Sequence, residues 1–306
     1  MIQMSYTALR PYSRDCDKGF TLVELLVAMM LGAMMAGMSL VAILSQRRLY
    51  QYDLTKTRLN QDLRSAMDLL GTNIREAGEN LPATFPSVEI VDGGVSPDEL
   101  ILRRSLLDEV LKLCQPIAAS SSGSIYFADS STEPGCAYAD QEHNYNAWQT
   151  HRTSNGGSVL AYIYDPTTQL GEFFDYSSET STGTDRFIGR ASGLWTNDYT
   201  VGQTGVYIIE QWNFKVGQDL TLMQDAFQVI ENNKTTEPMT IMFSVTNFQV
   251  VAHLSDGLSV VDFMASDNWT SINALEVAIT GKDSSLGQEI EKSYTSRFFP
   301  RNILSH

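Results

Sequence analysis

An apolar stretch from Phe20 to Leu44, broken by one charge at Glu24, constrains this chain more than any other feature. As a helix rising ~1.5 Å per residue it is roughly 38 Å long, enough to cross a ~30 Å hydrocarbon layer. A lone carboxylate in such a helix costs about 2.5–3.5 kcal/mol at the bilayer centre and less near its edge. A chain that keeps this cost has a partner for it. The candidate partner is an amine.

That amine would be created by cutting the chain before Phe20. The residues Lys18-Gly19-Phe20-Thr21-Leu22-Val23-Glu24 resemble the class III signal of type IV prepilins and type II secretion pseudopilins. The resemblance implies that a membrane peptidase cuts after Gly19 and N-methylates Phe20. It implies that Glu24, fifth in the mature chain, neutralises the N-terminal amine of a neighbouring filament subunit. Two blander readings compete. An ordinary secretory signal is cut after its apolar region at a small-x-small site, but this run is long and no Ala-x-Ala follows it. A plain membrane anchor has no use for Glu24. Arg10, Arg14 and Lys18 precede the run, and Arg47, Arg48, Lys56 and Arg58 follow it. The balance of flanking charge therefore does not orient the helix; the resemblance does, with the leader cytoplasmic.

The whole chain has net charge −15. The leader 1–19 holds three basic residues (Arg10, Arg14, Lys18) and two acidic ones (Asp15, Asp17), so its loss takes the side-chain charge to −16. An acidic body argues against nucleic acid as a partner and suits an exported domain. Cys16 leaves with the leader. Cys114 and Cys136 remain, and a disulfide between them is expected outside the cytoplasm. It would close a loop of about 20 residues, worth about 3 kcal/mol. The competing reading is two free buried thiols.

Beyond the apolar run, Leu59, Leu63, Met67, Leu70 and Ile74 recur at helical spacing, with Asp62, Arg64, Asp68 and Arg75 between them. Gly78 and Pro82 supply a stop. One helix from Phe20 to about Ala77 is predicted, roughly 87 Å if unbroken. Ala28, Gly32 and Ala36 are spaced by four, as are Ala33 and Gly37. Such spacing permits close helix approach, although small residues are common in membrane helices anyway. After Pro82 the pattern becomes short β-type runs separated by turn formers such as Asp92-Gly93-Gly94 and Ser255-Asp256-Gly257. Strands are predicted at 87–91, 99–103, 124–127, 159–164, 206–214, 226–230, 240–253, 259–263, 274–280 and 290–298. A short helix is predicted at 106–113. The segment 115–205 is expected to be a loop-rich insertion.

The expected fold is therefore α+β: leader 1–19, membrane and filament helix 20–45, amphipathic helix half 46–78, and a β-rich head 79–306. This is the architecture of pilins. The ending Phe298-Phe299-Pro300-Arg301-Asn302 is similar to the tail of minor pilins of the PilW family.

No HExxH, P-loop, GxSxG or GxGxxG motif is present, and His143, His151, His253 and His306 are scattered. No enzyme, cofactor or metal site is expected. Trp148, Trp195, Trp212 and Trp269 are candidates for a sugar-binding face or, more plainly, for core. The resemblance implies a minor pilin that primes or caps a type IV pilus, with adhesion and twitching motility as associated roles. The alternatives are a type II secretion minor pseudopilin and a tip adhesin using 115–205. The implied partners are the prepilin peptidase, other major and minor pilins docking through Glu24, Ala28, Gly32 and Ala36, and the inner membrane. The head would lie in the periplasm before the subunit reaches the surface pilus.

Overall fold

The computed structural model describes residues 21–129, 134–219, 224–232 and 238–305. The chain divides into two units, Met1–Leu54 and Thr55–His306. Helix α1, Leu22–Glu76, contributes to both. Its start follows the apolar pattern, and its end follows Gly78, which adopts φ +79°. A Cβ at Gly78 would lie 2.1 Å from the Trp269 ring, so both the left-handed backbone and the packing require glycine there.

In the second unit, the predicted stripe is the buried face of α1. Leu59, Leu63, Met67, Leu70 and Ile74 are buried, together with Ala66 and Gly71. Burying each such large side chain contributes about 1.5–3 kcal/mol. This face meets a four-stranded antiparallel sheet of order β12-β11-β13-β14. Its strands are β11 (Val245–Leu254), β12 (Ser259–Val260), β13 (Ile272–Ser285) and β14 (Gln288–Phe298). The register sets Phe248 against Ile279, Val250 against Val277 and Ala252 against Leu275, all wholly buried. The ring of Phe298 lies against Gly71 of α1, and Leu59 lies against Gly281 of β13.

The larger sheet is built around β8 (Gly205–Gln218). The first residues of β8 pair with β3 (Leu111–Lys112) and β5 (Val159–Asp165). Its later residues pair with β2 (Glu99–Ser105) and β9 (Asp225–Glu231). β1 (Val88–Val91) extends one edge beyond β2, and β10 (Met239–Phe243) pairs with β9. On the other side the order continues through β6 (Leu170–Thr182), β7 (Asp185–Arg190) and β4 (Ile125–Ala128).

Four expectations need correction. The predicted helix at 106–113 is not formed; Leu111 and Lys112 pair with Val206 and Gly205 as strand β3. The segment 115–205 is not an irregular insertion. It contains β4, α2 (Tyr138–Ser154), β5, β6 and β7, and it has its own core of Ile125, Phe127, Trp148, Ile163, Tyr176, Ile188 and Trp195. The single strand predicted at 240–253 is two strands, broken where Ser244 takes φ +60°. The run predicted at 259–263 keeps only Ser259–Val260 as strand.

Candidate processing and assembly site

Gly19 and Phe20, the predicted cleavage and methylation positions, lie outside the described residues. The site begins at Thr21. The Thr21 backbone N–H donates to Glu24 Oε2 at 3.0 Å, and the Thr21 hydroxyl donates to the same oxygen at 3.1 Å. In return the Glu24 N–H donates to Thr21 Oγ1 at 3.2 Å. This reciprocal pattern is a capping box, in which the first and fourth residues of a helix start satisfy each other's unpaired groups. A carboxylate here also faces the positive end of the helix dipole.

Glu24 therefore has a local partner, Thr21, besides the neighbouring amine expected from the sequence. The signal was present: Thr-x-x-Glu immediately before an apolar run is itself a helix-start pattern. The cap uses Oε2. Among the described residues, Oε1 accepts no hydrogen bond and Glu24 has no ion pair. The cap thus holds the carboxylate in place through Oε2.

From Leu22 to Leu44 every side chain of α1 is exposed. The most apolar window of the helix has mean hydropathy 2.2, and none of it is buried. Ala28, Gly32 and Ala36 stand at successive i, i+4 positions, hence on one face. Nothing lies within 4 Å of a Cβ built on Gly32 or Gly37. The structure thus leaves this face uncovered. An apolar helix surface exposed over this length is unfavourable in water; large apolar patches mark interaction or membrane surfaces.

The head offers less. Trp148, Trp195 and Trp269 are buried, so they are not a carbohydrate-stacking face. A cleft of about 410 Å³ is lined by Thr84, Tyr162, Tyr164, Gln169 and Asp267 among others. Its tyrosines are structural: Tyr164 donates to the Thr84 carbonyl at 2.7 Å, and burial pushes the Tyr162 hydroxyl up to about 12. Cys114 and Cys136 are joined by a disulfide, which ties the chain leaving β3 to the chain entering α2. Among the described residues no group of three His, Cys, Asp or Glu side chains is arranged to hold a metal.

Comparison with known proteins is informative at the N-terminus. Residues 14–40 match the family described as the prokaryotic N-terminal methylation motif. No curated protein and no solved structure matches the chain. The matched segment spans Gly19, Phe20 and the Thr21–Glu24 cap, and it enters the exposed apolar helix. The chain thus carries a prepilin-like signal joined to an apolar helix long enough to cross a membrane and to an antiparallel β head.

Proposed function

We propose that this chain is a filament subunit of the pilin kind, specifically a minor type IV pilin, and that it has structural and no catalytic work. The observation that carries this reading is the coincidence of the methylation motif at 14–40 with an apolar helix left entirely uncovered. Membrane lipid can cover such a helix before assembly, and neighbouring helices can cover it afterwards. Small residues at Ala28, Gly32 and Ala36 favour the second state. In this reading the peptidase removes residues 1–19 and methylates Phe20. The new amine of one subunit then meets Glu24 of its neighbour. At ~4 Å such a pair is worth about 4 kcal/mol at an effective dielectric near 20, less the desolvation of both groups.

A minor pilin is preferred to a secretion pseudopilin because of the large head and the Phe-Phe-Pro-Arg-Asn ending at 298–302, which resembles the PilW kind. Asn302 has a structural use: its Nδ2 donates to the carbonyls of Glu76 and Ala77, where α1 ends.

The test exploits the cap. Glu24→Gln keeps an acceptor for Thr21 and removes the charge. Membrane insertion and thermal melting of the variant should equal wild type, and its amount in sheared surface filaments should fall at least about tenfold, the equivalent of 1.4 kcal/mol. Wild-type incorporation would show that the charge has no role in assembly.

A further inference from the structure

We propose that Arg47, Arg48 and Tyr50 form a collar that binds the phosphates of anionic phospholipid headgroups and so fixes how deeply the apolar helix sits. The proposal rests on the membrane-spanning reading above, with the leader on the cytoplasmic side.

The apolar run ends sharply, passing from Ile43-Leu44 through Ser45-Gln46 into Arg47-Arg48-Leu49-Tyr50-Gln51-Tyr52. Arg47 and Arg48 are exposed, and among the described residues they take part in none of the ion pairs. Tyr50 is 64% exposed. Paired cations beside a tyrosine at the end of an apolar span have the chemistry of the headgroup layer. The guanidinium fork fits a phosphate with two hydrogen bonds, and the amphipathic ring suits the boundary between tails and water.

The charge pattern adds a second argument. With the leader cytoplasmic, Arg47 and Arg48 must cross to the far side, where the positive-inside tendency disfavours them. Lys56 and Arg58 follow on the same side, but Arg58 is paired with Asp62 at 3.8 Å, so the argument rests on Arg47 and Arg48. Cations retained against that tendency imply a binding partner on the far side. Acidic groups of a neighbouring subunit are the rival partner, but they give no account of the adjacent exposed tyrosine.

The collar has a consequence for Glu24. The helical steps from Glu24 to Arg47 span about 35 Å, slightly more than a ~30 Å hydrocarbon layer. With the arginines held at one surface, Glu24 lies at the opposite surface and not at the bilayer centre. There the cap from Thr21 and the nearby water hold its charge. The carboxylate then meets an apolar environment only when the helix leaves the lipid, at the step where a neighbour's amine becomes available.

The experiment uses the full chain with Cys16→Ser, the disulfide intact and a nitroxide label at Leu44→Cys. It is reconstituted into phosphatidylcholine vesicles with and without phosphatidylglycerol, and collision of the label with a water-soluble nickel chelate is measured. Adding phosphatidylglycerol should lower collision about twofold in the wild-type background, because each juxtamembrane cation is drawn to an anionic surface. Arg47→Gln with Arg48→Gln should abolish that dependence, and Arg47→Lys with Arg48→Lys should keep most of it. No response to phosphatidylglycerol in the wild-type background, or an equal response in the Gln variant, would overturn the collar. A Gln variant with unchanged lipid response that is missing from filaments would assign the arginines to a neighbouring subunit instead. Because the label is read without any filament, the collar and the pilin reading can fail separately.

Discussion

Gly71 shows how one residue can set the fit of the helix to its sheet. Glycine inside a helix costs about 1 kcal/mol relative to alanine, so without packing constraints Gly71→Ala would stabilise the protein. A Cβ there would lie 2.4 Å from Phe298 Cε1, and the same ring carries the Arg75 guanidinium at 5.5 Å from its centroid. The ring must move, and overpacking of this kind costs about 1–3 kcal/mol. Gly71→Ala should therefore lower the thermal midpoint of the full chain, and Phe298→Leu in the same background should restore part of the loss. A higher midpoint for Gly71→Ala alone would show that the ring yields freely. This constraint was not legible in the sequence, where Gly71 is only a gap in a helical stripe; its partner is more than two hundred residues away. Glu24 was legible as an anomaly, because a charge in an apolar run is visible without coordinates. Its local partner Thr21 is less visible, because Thr-Leu-Val-Glu lies inside the apolar run, where a charge points first to a second molecule.

At the scale of elements, legibility followed the strength of the periodic signal. The stripe from Leu59 to Ile74 and the β-branched alternation of β11 and β13 are strong signals, and the structure has these elements close to where they were predicted. Helix α2 has almost none: only Gln141 and Trp148 are buried among its residues. It is held by a few large contacts instead. Trp148 Nε1 donates to the Glu109 carbonyl at 2.7 Å, and the Arg186 guanidinium lies 3.8 Å from the centre of the Tyr138 ring. The segment 106–113 erred in the other direction, since Leu-Leu-Asp-Glu-Val-Leu-Lys-Leu has helical spacing but the edge of β8 claims Leu111 and Lys112. The last tether of α2 gives a pH prediction. Arg152 Nε donates to Glu179 Oε1 at 2.6 Å, and the Tyr176 hydroxyl also donates to that carboxylate. Burial pushes the Glu179 carboxyl upward, but the hydrogen bonds from Arg152 and Tyr176 outweigh it and hold the group below its ordinary 4.5. A depressed carboxyl stabilises the fold above its unfolded value and loses that contribution as pH falls through the folded one. The denaturation midpoint of the full chain should therefore drop as pH falls below 4.5. Glu179→Gln should be less stable at neutral pH, with a shallower acid limb. An acid limb equally steep in the variant would place the acid sensitivity elsewhere.

At the scale of the molecule, the two units answer to different surroundings. The second unit carries two antiparallel sheets, a buried helix stripe and a disulfide, and these make a head that buries its own apolar groups. Among the described residues of the first unit, the helix exposes its apolar side chains from Leu22 to Leu44; in the proposed reading, lipid or other chains cover them. The sequence showed this division because a long apolar run and a mixed β region differ in composition. It did not show that 115–205 supplies four of the ten strands of the large sheet, since the turn-rich and polar β6, β7 and α2 resemble loop by composition alone. In the proposed reading the exposed helix belongs to a subunit processed at Gly19 and assembled through its new terminus. The most direct measurement is the intact mass and N-terminal peptide sequence of this chain recovered from sheared filaments. The recovered chain should begin at Phe20 with one added methyl group. Residues 1–19 still attached to the assembled chain, or an N-terminus produced by a cut beyond Leu44, would contradict it.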